Sequence, residues 1–127
     1  MDPLHIRDTY VALDDVCEAS PLPVTAGFWD DLRTGKLGDF SRMVSFSSFE
    51  GAWSTWEKHP AGEEVVMLLG GEVELVLELA QGESKVVLDR PGAYLLVPRD
   101  TWHTARARRP SQMLFVTPGA GTRNKPA

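Results

Sequence analysis

Four side chains in two separated stretches, Glu57, His59, Glu64 and His103, have the types and spacing to do chemistry together. Residues two apart on a strand face the same side, so Glu57 and His59 point together. After a tight His59-Pro60-Ala61-Gly62 turn, Glu64 begins a run in which it shares a face with Val66 and Leu68. His103 opens a later run with Ala105 and Ala107 on its face. In a closed barrel those faces can converge on one point. Imidazole and carboxylate donors together suit Fe(II), Mn(II), Ni(II) or Zn(II), whereas Cu(I) prefers thiolates and no cysteine is near. Two carboxylates neutralise a divalent cation, which lowers the cost of holding the group inside an apolar shell.

The elements that must position these residues are short strands. From Phe40 onward the hydrophobic period is two, in the runs FSRMVSFSSF, GAWSTWEKH, EVVMLL, EVELVLEL, SKVVLD, AYLLV, WHTARAR and QMLFVT. Turn chemistry (HPAG, GG, AQGE, RPG, PRD, RRPS) separates them. About eight strands at intervals of about ten residues predict an antiparallel sandwich or barrel. Residues 1–38 read as an arm packing on it: TYVAL as a first strand, PLPVT as a proline-broken connector, and TAGFWDDLRTGKLG as one short helix. Phe28 and Leu32 share the inner face of that helix, Thr25 caps it, and Gly35 or Gly38 ends it. Residues 39–119 form the barrel, and 120–127 are expected to be a flexible tail.

The spacing of these motifs resembles that of the cupins. The first cupin motif reads Gly, five residues, His-x-His, three or four residues, Glu, six residues, Gly. Here Gly51, Glu57-x-His59, Glu64 and Gly71 take those places. The second reads Gly, five residues, Pro-x-Gly, two residues, His, three residues, Asn, and Gly92, Pro98 and His103 match it. Three positions depart: Glu57 replaces the first histidine, Asp100 the motif glycine, and Ala107 the asparagine. The resemblance implies an all-β double-stranded β-helix, a jelly-roll barrel, with the N-terminal arm and its helix added. It also implies a divalent metal held by Glu57, His59, Glu64 and His103, two histidines and two carboxylates in place of the family's three histidines and one glutamate. Many cupins are dimers, and a homodimer is expected, with the arm as the segment to cross over.

Around that set, alternatives stand open. Glu57 is either the fourth ligand or a group that pairs with Lys58 or an arginine, free for acid–base work. Glu63 replaces Glu64 if the strand slips by one residue, and it is the second candidate proton acceptor. Trp53 shares the parity of Glu57 and His59 and is expected to line the cavity, whereas Trp56 and Trp102 pack outside or at a subunit contact. His5 is read as surface.

Composition sets the outer limits. The chain has 127 residues, 43% hydrophobic and 24% charged, which suits one soluble core. The net charge of −5 divides into 7 Lys/Arg against 17 Asp/Glu over residues 1–98 and 6 against 1 over 99–127. Arg99, Arg106, Arg108 and Arg109 could draw an anion to a pocket mouth, but they read better as solvated strand ends. Nothing points to nucleic acid or a membrane. Without a signal peptide, and with Cys17 alone, a cytoplasmic protein is expected. Cys17 lies among Asp14, Asp15 and Glu18, which disfavour its thiolate, and reads as a partly buried strand or turn residue.

Two functions follow. One is a metal-dependent enzyme of dioxygenase or isomerase type acting on a small polar or carboxylated molecule. The other is a non-catalytic binding or sensor module, metal-bound or metal-free.

Overall fold

The computed structural model describes residues 1–127 and turns these runs into ten strands and one short helix. They are β1 (Thr9–Leu13), β2 (Ala19–Pro23), α1 (Phe28–Arg33), β3 (Arg42–Ala52), β4 (Thr55–Lys58) and β5 (Glu64–Gly70). β6 (Val73–Leu79), β7 (Gly82–Leu88), β8 (Tyr94–Val97), β9 (His103–Pro118) and β10 (Arg123–Pro126) complete the chain. Every strand pairing is antiparallel.

The sixteen-residue β9 organises the barrel. Its first half pairs with β6 (Leu77 opposite His103, Val73 opposite Ala107), and its second half pairs with β5 (Gly70 opposite Gln112, Val65 opposite Val116). On its other edge lie β3 and, at His103, β4. Two facing layers result: β2-β1-β3-β9-β5-β8, and β10-β4-β9-β6-β7. Between them the inward residues form one core, with Val66, Leu68, Val73, Leu75, Ala105, Ala107 and Met113 nearly or wholly buried. At the close approach of the β5–β6 turn to β9, Gly71 is required. It has φ +94, and a Cβ there would collide with Ser111 and the Pro110 carbonyl.

A second core cluster sits under the arm, where Tyr10, Ala12, Leu22, Phe28 and Met43 are buried together. The Tyr10 ring meets Phe28 edge-on at 5.1 Å, and its hydroxyl donates to the Phe46 carbonyl at 2.9 Å. The arm is thereby part of the same sheet, β1 lying on β3 and β2 on β1 within one chain.

Five local expectations are corrected. PLPVT is no mere connector, since Pro21 and Pro23 belong to β2; its outer edge has no strand to donate to, so prolines are tolerated. RRPS is no turn, because β9 runs through it while its ladder changes partners from β6 to β5. The tail is not frayed, because residues 123–126 add β10 to β4. The helix keeps Phe28 and Leu32 inside, but its N-cap is Gly27 rather than Thr25. Gly35 (φ +79) ends it, with Lys36 N–H donating to the Asp31 carbonyl and Gly35 N–H to that of Leu32, the arrangement of a Schellman motif. Cys17, expected to be partly buried, is exposed in the β1–β2 turn.

The outer faces of the two layers differ. Over β6 and β9 the outside is charged, with Glu74 opposite Arg106 and Arg108 bonded to Glu72 and Glu74. Over the other layer a cross-strand row runs Pro21, Val11, Val44, Val116, Val65 and Leu96 across six strands. Beside it runs a second row of Phe46, Leu114, Met67 and Tyr94. None of the ten is buried, and Tyr94 and Leu96 are 59% and 53% exposed. No helix is long and apolar enough to cross a membrane.

Candidate metal centre

Parity brings the four expected residues to one end of the core, where the two layers meet. Glu57 on β4 is the direct cross-strand partner of His103, the first residue of β9. Glu64 opens β5 and alternates inward with Val66 and Leu68. His59 follows β4 in the turn, and its carbonyl accepts a hydrogen bond from the Asp100 N–H at 3.1 Å, which ties the two motif loops together. Asp100 stands where a glycine is expected, and its φ of +59 explains why: the turn needs a left-handed residue, and aspartate is among the few others that adopt it.

One donor atom from each of Glu57, His59, Glu64 and His103 lies within 4.8 Å of all the others. His103 Nε2 is 3.0 Å from Glu64 Oε1, and His59 Nε2 is 3.3 Å from Glu64 Oε2 and 3.7 Å from Glu57 Oε2. Donors held at 2.0–2.2 Å from one ion stand roughly 3.0–3.5 Å apart in octahedral or tetrahedral arrangements, so the cluster is close to the size a divalent ion needs. His59, Glu64 and His103 are buried, while the Glu57 side chain keeps 35% of its surface open.

Neighbouring oxygens orient the ligands, as metal-binding imidazoles require. His103 Nδ1 donates to the Thr101 carbonyl at 3.0 Å, which turns Nε2 toward the cluster. His59 Nδ1 meets the Thr122 hydroxyl at 2.9 Å. The Thr117 hydroxyl donates to Glu64 Oε2 at 2.6 Å. His59 Nε2 is then buried with no well-aligned hydrogen bond, the one such side-chain atom in the chain, and faces Glu64 Oε2 at 3.3 Å. A lone pair aimed into a carboxylate-lined site is what a cation satisfies.

The electrostatics describe the same site holding protons. Burial pushes the Glu64 carboxyl up, but the imidazoles of His103 and His59 outweigh it and hold it at about 2. Burial pushes His103 down, and the hydrogen bond and charge of Glu64 overcome it to raise it above its usual value. Glu57 is raised by burial and by Glu64.

Glu63 is exposed and outside the cluster, and the register brings Glu64 there instead. Trp53 lines the cleft, its ring 6.4 Å from that of His103. Trp56 and Trp102 lie outside, with Lys125 over both rings and Lys58 over Trp102. His5 is exposed. Thr117 and Thr122 were missed. Thr117 shares the inward parity of Met113 and Phe115 and could have been found from it, whereas nothing in the sequence singles out Thr122. The cleft opening from the cluster, about 1180 Å³, reaches up past β3 to α1.

No family model matches the chain, and no curated protein matches it. Solved structures do. Hydroquinone 1,2-dioxygenase from Sphingomonas sp. TTNP3, with 4-hydroxybenzoate bound, aligns with TM-score 0.54 at 21% identity over 66% of this chain and 63% of that one. A cupin-2 domain protein from Shewanella frigidimarina aligns with TM-score 0.53 at 16% identity, covering 64% and 74%. Bacillus subtilis oxalate decarboxylase, studied for its Mn(II) centres, gives TM-score 0.57 at 14% identity over 68% of this chain and 24% of that one. The chain thus spans less than two thirds of the dioxygenase chain, and at these identities the likeness concerns the fold.

Proposed function

The chain has the cupin fold, and on that premise we propose that it is a divalent-metal protein whose Glu57, His59, Glu64 and His103 hold Fe, Mn, Ni or Zn beneath a small-molecule cleft, as a metal-dependent enzyme. The buried His59 Nε2, without a well-aligned hydrogen bond among two carboxylates and a second imidazole, carries this reading. Bound there, the ion would supply Lewis-acid or redox chemistry of the dioxygenase or isomerase type. The chain's own contribution is positional. Thr101, Thr117 and Thr122 fix three of the ligands, and Trp53 and Phe115 line one side of the cleft. Glu57, the most open of the four and with its carboxyl raised, is placed to ligate or to take a proton from a bound molecule. Fe(II)-, Mn(II)- and Zn(II)-loaded protein should be screened for oxygen uptake and isomerisation beside chelated protein. Turnover that depends on one metal supports an enzyme. Ligand binding without turnover by any loaded form replaces this reading with the binding module.

The apolar outer face of β2-β1-β3-β9-β5-β8 supports a homodimer. Strands about 4.8 Å apart and rows about 6.7 Å apart give the ten residues a patch of roughly 320 Å² in plan. That is enough for the apolar centre of an interface of about 800 Å² per partner. Its ten residues carry no charge, so the face complements a second copy of itself about a two-fold axis.

A further inference from the structure

The walls of the cleft differ from what a carboxylated ligand would require. Its charged lining is Asp30, Asp39, Glu57 and Glu64 against Arg33, with His59. Arg33 is bonded to Asp30 at 2.6 Å at the rim, both side chains more than 70% exposed, so it is neither free nor inside. Arg99, Arg106, Arg108 and Arg109 do not line the cleft, and Arg108 and Arg109 face Glu72 and Glu74 on the outside. A divalent ion would be neutralised by Glu57 and Glu64, leaving no net positive charge for a second anion. An anionic molecule entering here would lose its hydration without gaining a cationic side chain.

What the cleft offers is hydroxyls on one wall and aromatic rings beside them. Ser45 and Ser47, two apart on β3, share the inward face and line the cleft. Ser45 is 6% exposed and Ser47 is half-buried, and both belong to the cleft lining. The register sets Ser45 opposite Phe115, whose ring is 5.9 Å from that of Trp53 at 50°. Trp53 in turn stands beside His103. A flat molecule in this space meets the Trp53 and Phe115 side chains with the two serines beside them, and the cluster at its end.

We infer that the cleft takes an uncharged, hydroxyl-bearing aromatic ring of the phenol or hydroquinone type, seated against Trp53 and Phe115 and hydrogen-bonded by Ser45 and Ser47. This rests on the proposed small-molecule site but not on which metal fills it. It narrows the substrate expectation from polar or carboxylated molecules to neutral ones.

The test is isothermal titration calorimetry of hydroquinone, benzoate and glucose into Zn(II)-loaded and chelated protein, under nitrogen, with metal content measured on the same samples. Hydroquinone should bind at least about tenfold more tightly than benzoate, and glucose more weakly than either. Ser45→Ala and Ser47→Ala should each weaken hydroquinone about fivefold, as loss of one neutral hydrogen bond does, with metal content unchanged. Benzoate binding as tightly as hydroquinone, glucose binding best, or no effect of either serine substitution would overturn the inference. If no metal loads, the metal reading fails by itself, and the chelated arm still decides the ligand class by the same ratios.

Discussion

Replacing Glu64 with glutamine tests the electrostatics of the cluster separately from any metal. In the metal-free protein the Glu64 carboxyl is held at about 2 against an ordinary 4.5, because two imidazoles outweigh its burial. Its side chain is only 3% exposed, so solvent screens the effect little. The folded value is the lower one, so the stabilisation is present above the unfolded value and is lost as pH falls from about 4.5 toward 2. At about 1.4 kcal/mol for each tenfold change in proton affinity, it amounts to roughly 3 kcal/mol at pH 5.5 and roughly 1 kcal/mol at pH 2.5. His103 works with the opposite sign: its value is raised, so its contribution is present below about 6.5 and is lost as pH rises through the folded value. Glutamine keeps the shape and removes the charge on which both depend. Urea denaturation in excess chelator, from pH 2.5 to 8, should therefore show wild type exceeding Glu64→Gln most near pH 5 to 6, with the difference shrinking on both sides. Protonation elsewhere is common to the two proteins and cancels. A difference that stays constant over the whole range would refute the reasoning.

Protons and metal should compete for the cluster. Raised values at His103 and Glu57 mean that a metal must displace protons, so calorimetric Zn(II) affinity should climb between pH 5.5 and 8 with protons released to the buffer; a flat profile would count against these ligands. Wild type should run in size-exclusion chromatography with light scattering at twice the 14.0 kDa of one chain, and Tyr94→Glu with Leu96→Glu, both on exposed positions, should shift it to the monomer. A monomeric wild type at tens of micromolar removes the dimer.

The inward half of the barrel was legible in the sequence because the two-residue period survives folding intact. Val66, Leu68, Ala105 and Met113 all sit where alternation puts them, and the same parity delivered Glu57, Glu64 and His103 to one place. What alternation does not encode is which strand lies beside which. β9 looked like two strands because Arg109 and Pro110 read as a turn, yet a ladder that changes partners there asks for no N–H from the proline. β2 looked like a connector because prolines are penalised in a strand, a penalty that vanishes on an outer edge. The tail looked frayed because RNKP is polar, and β10 packs Lys125 over Trp56 and Trp102 instead of burying apolar groups. Thr122, which orients His59, precedes that strand and escaped for the same reason.

The most direct test of the central claim is the metal content of untagged protein by mass spectrometry, beside Glu57→Ala and His103→Ala, before and after reconstitution. The four-residue centre requires near one equivalent of Fe, Mn, Ni or Zn in the wild type and a large loss in both variants. A wild type that stays metal-free after reconstitution, or a His103→Ala protein that keeps its full equivalent, would contradict it.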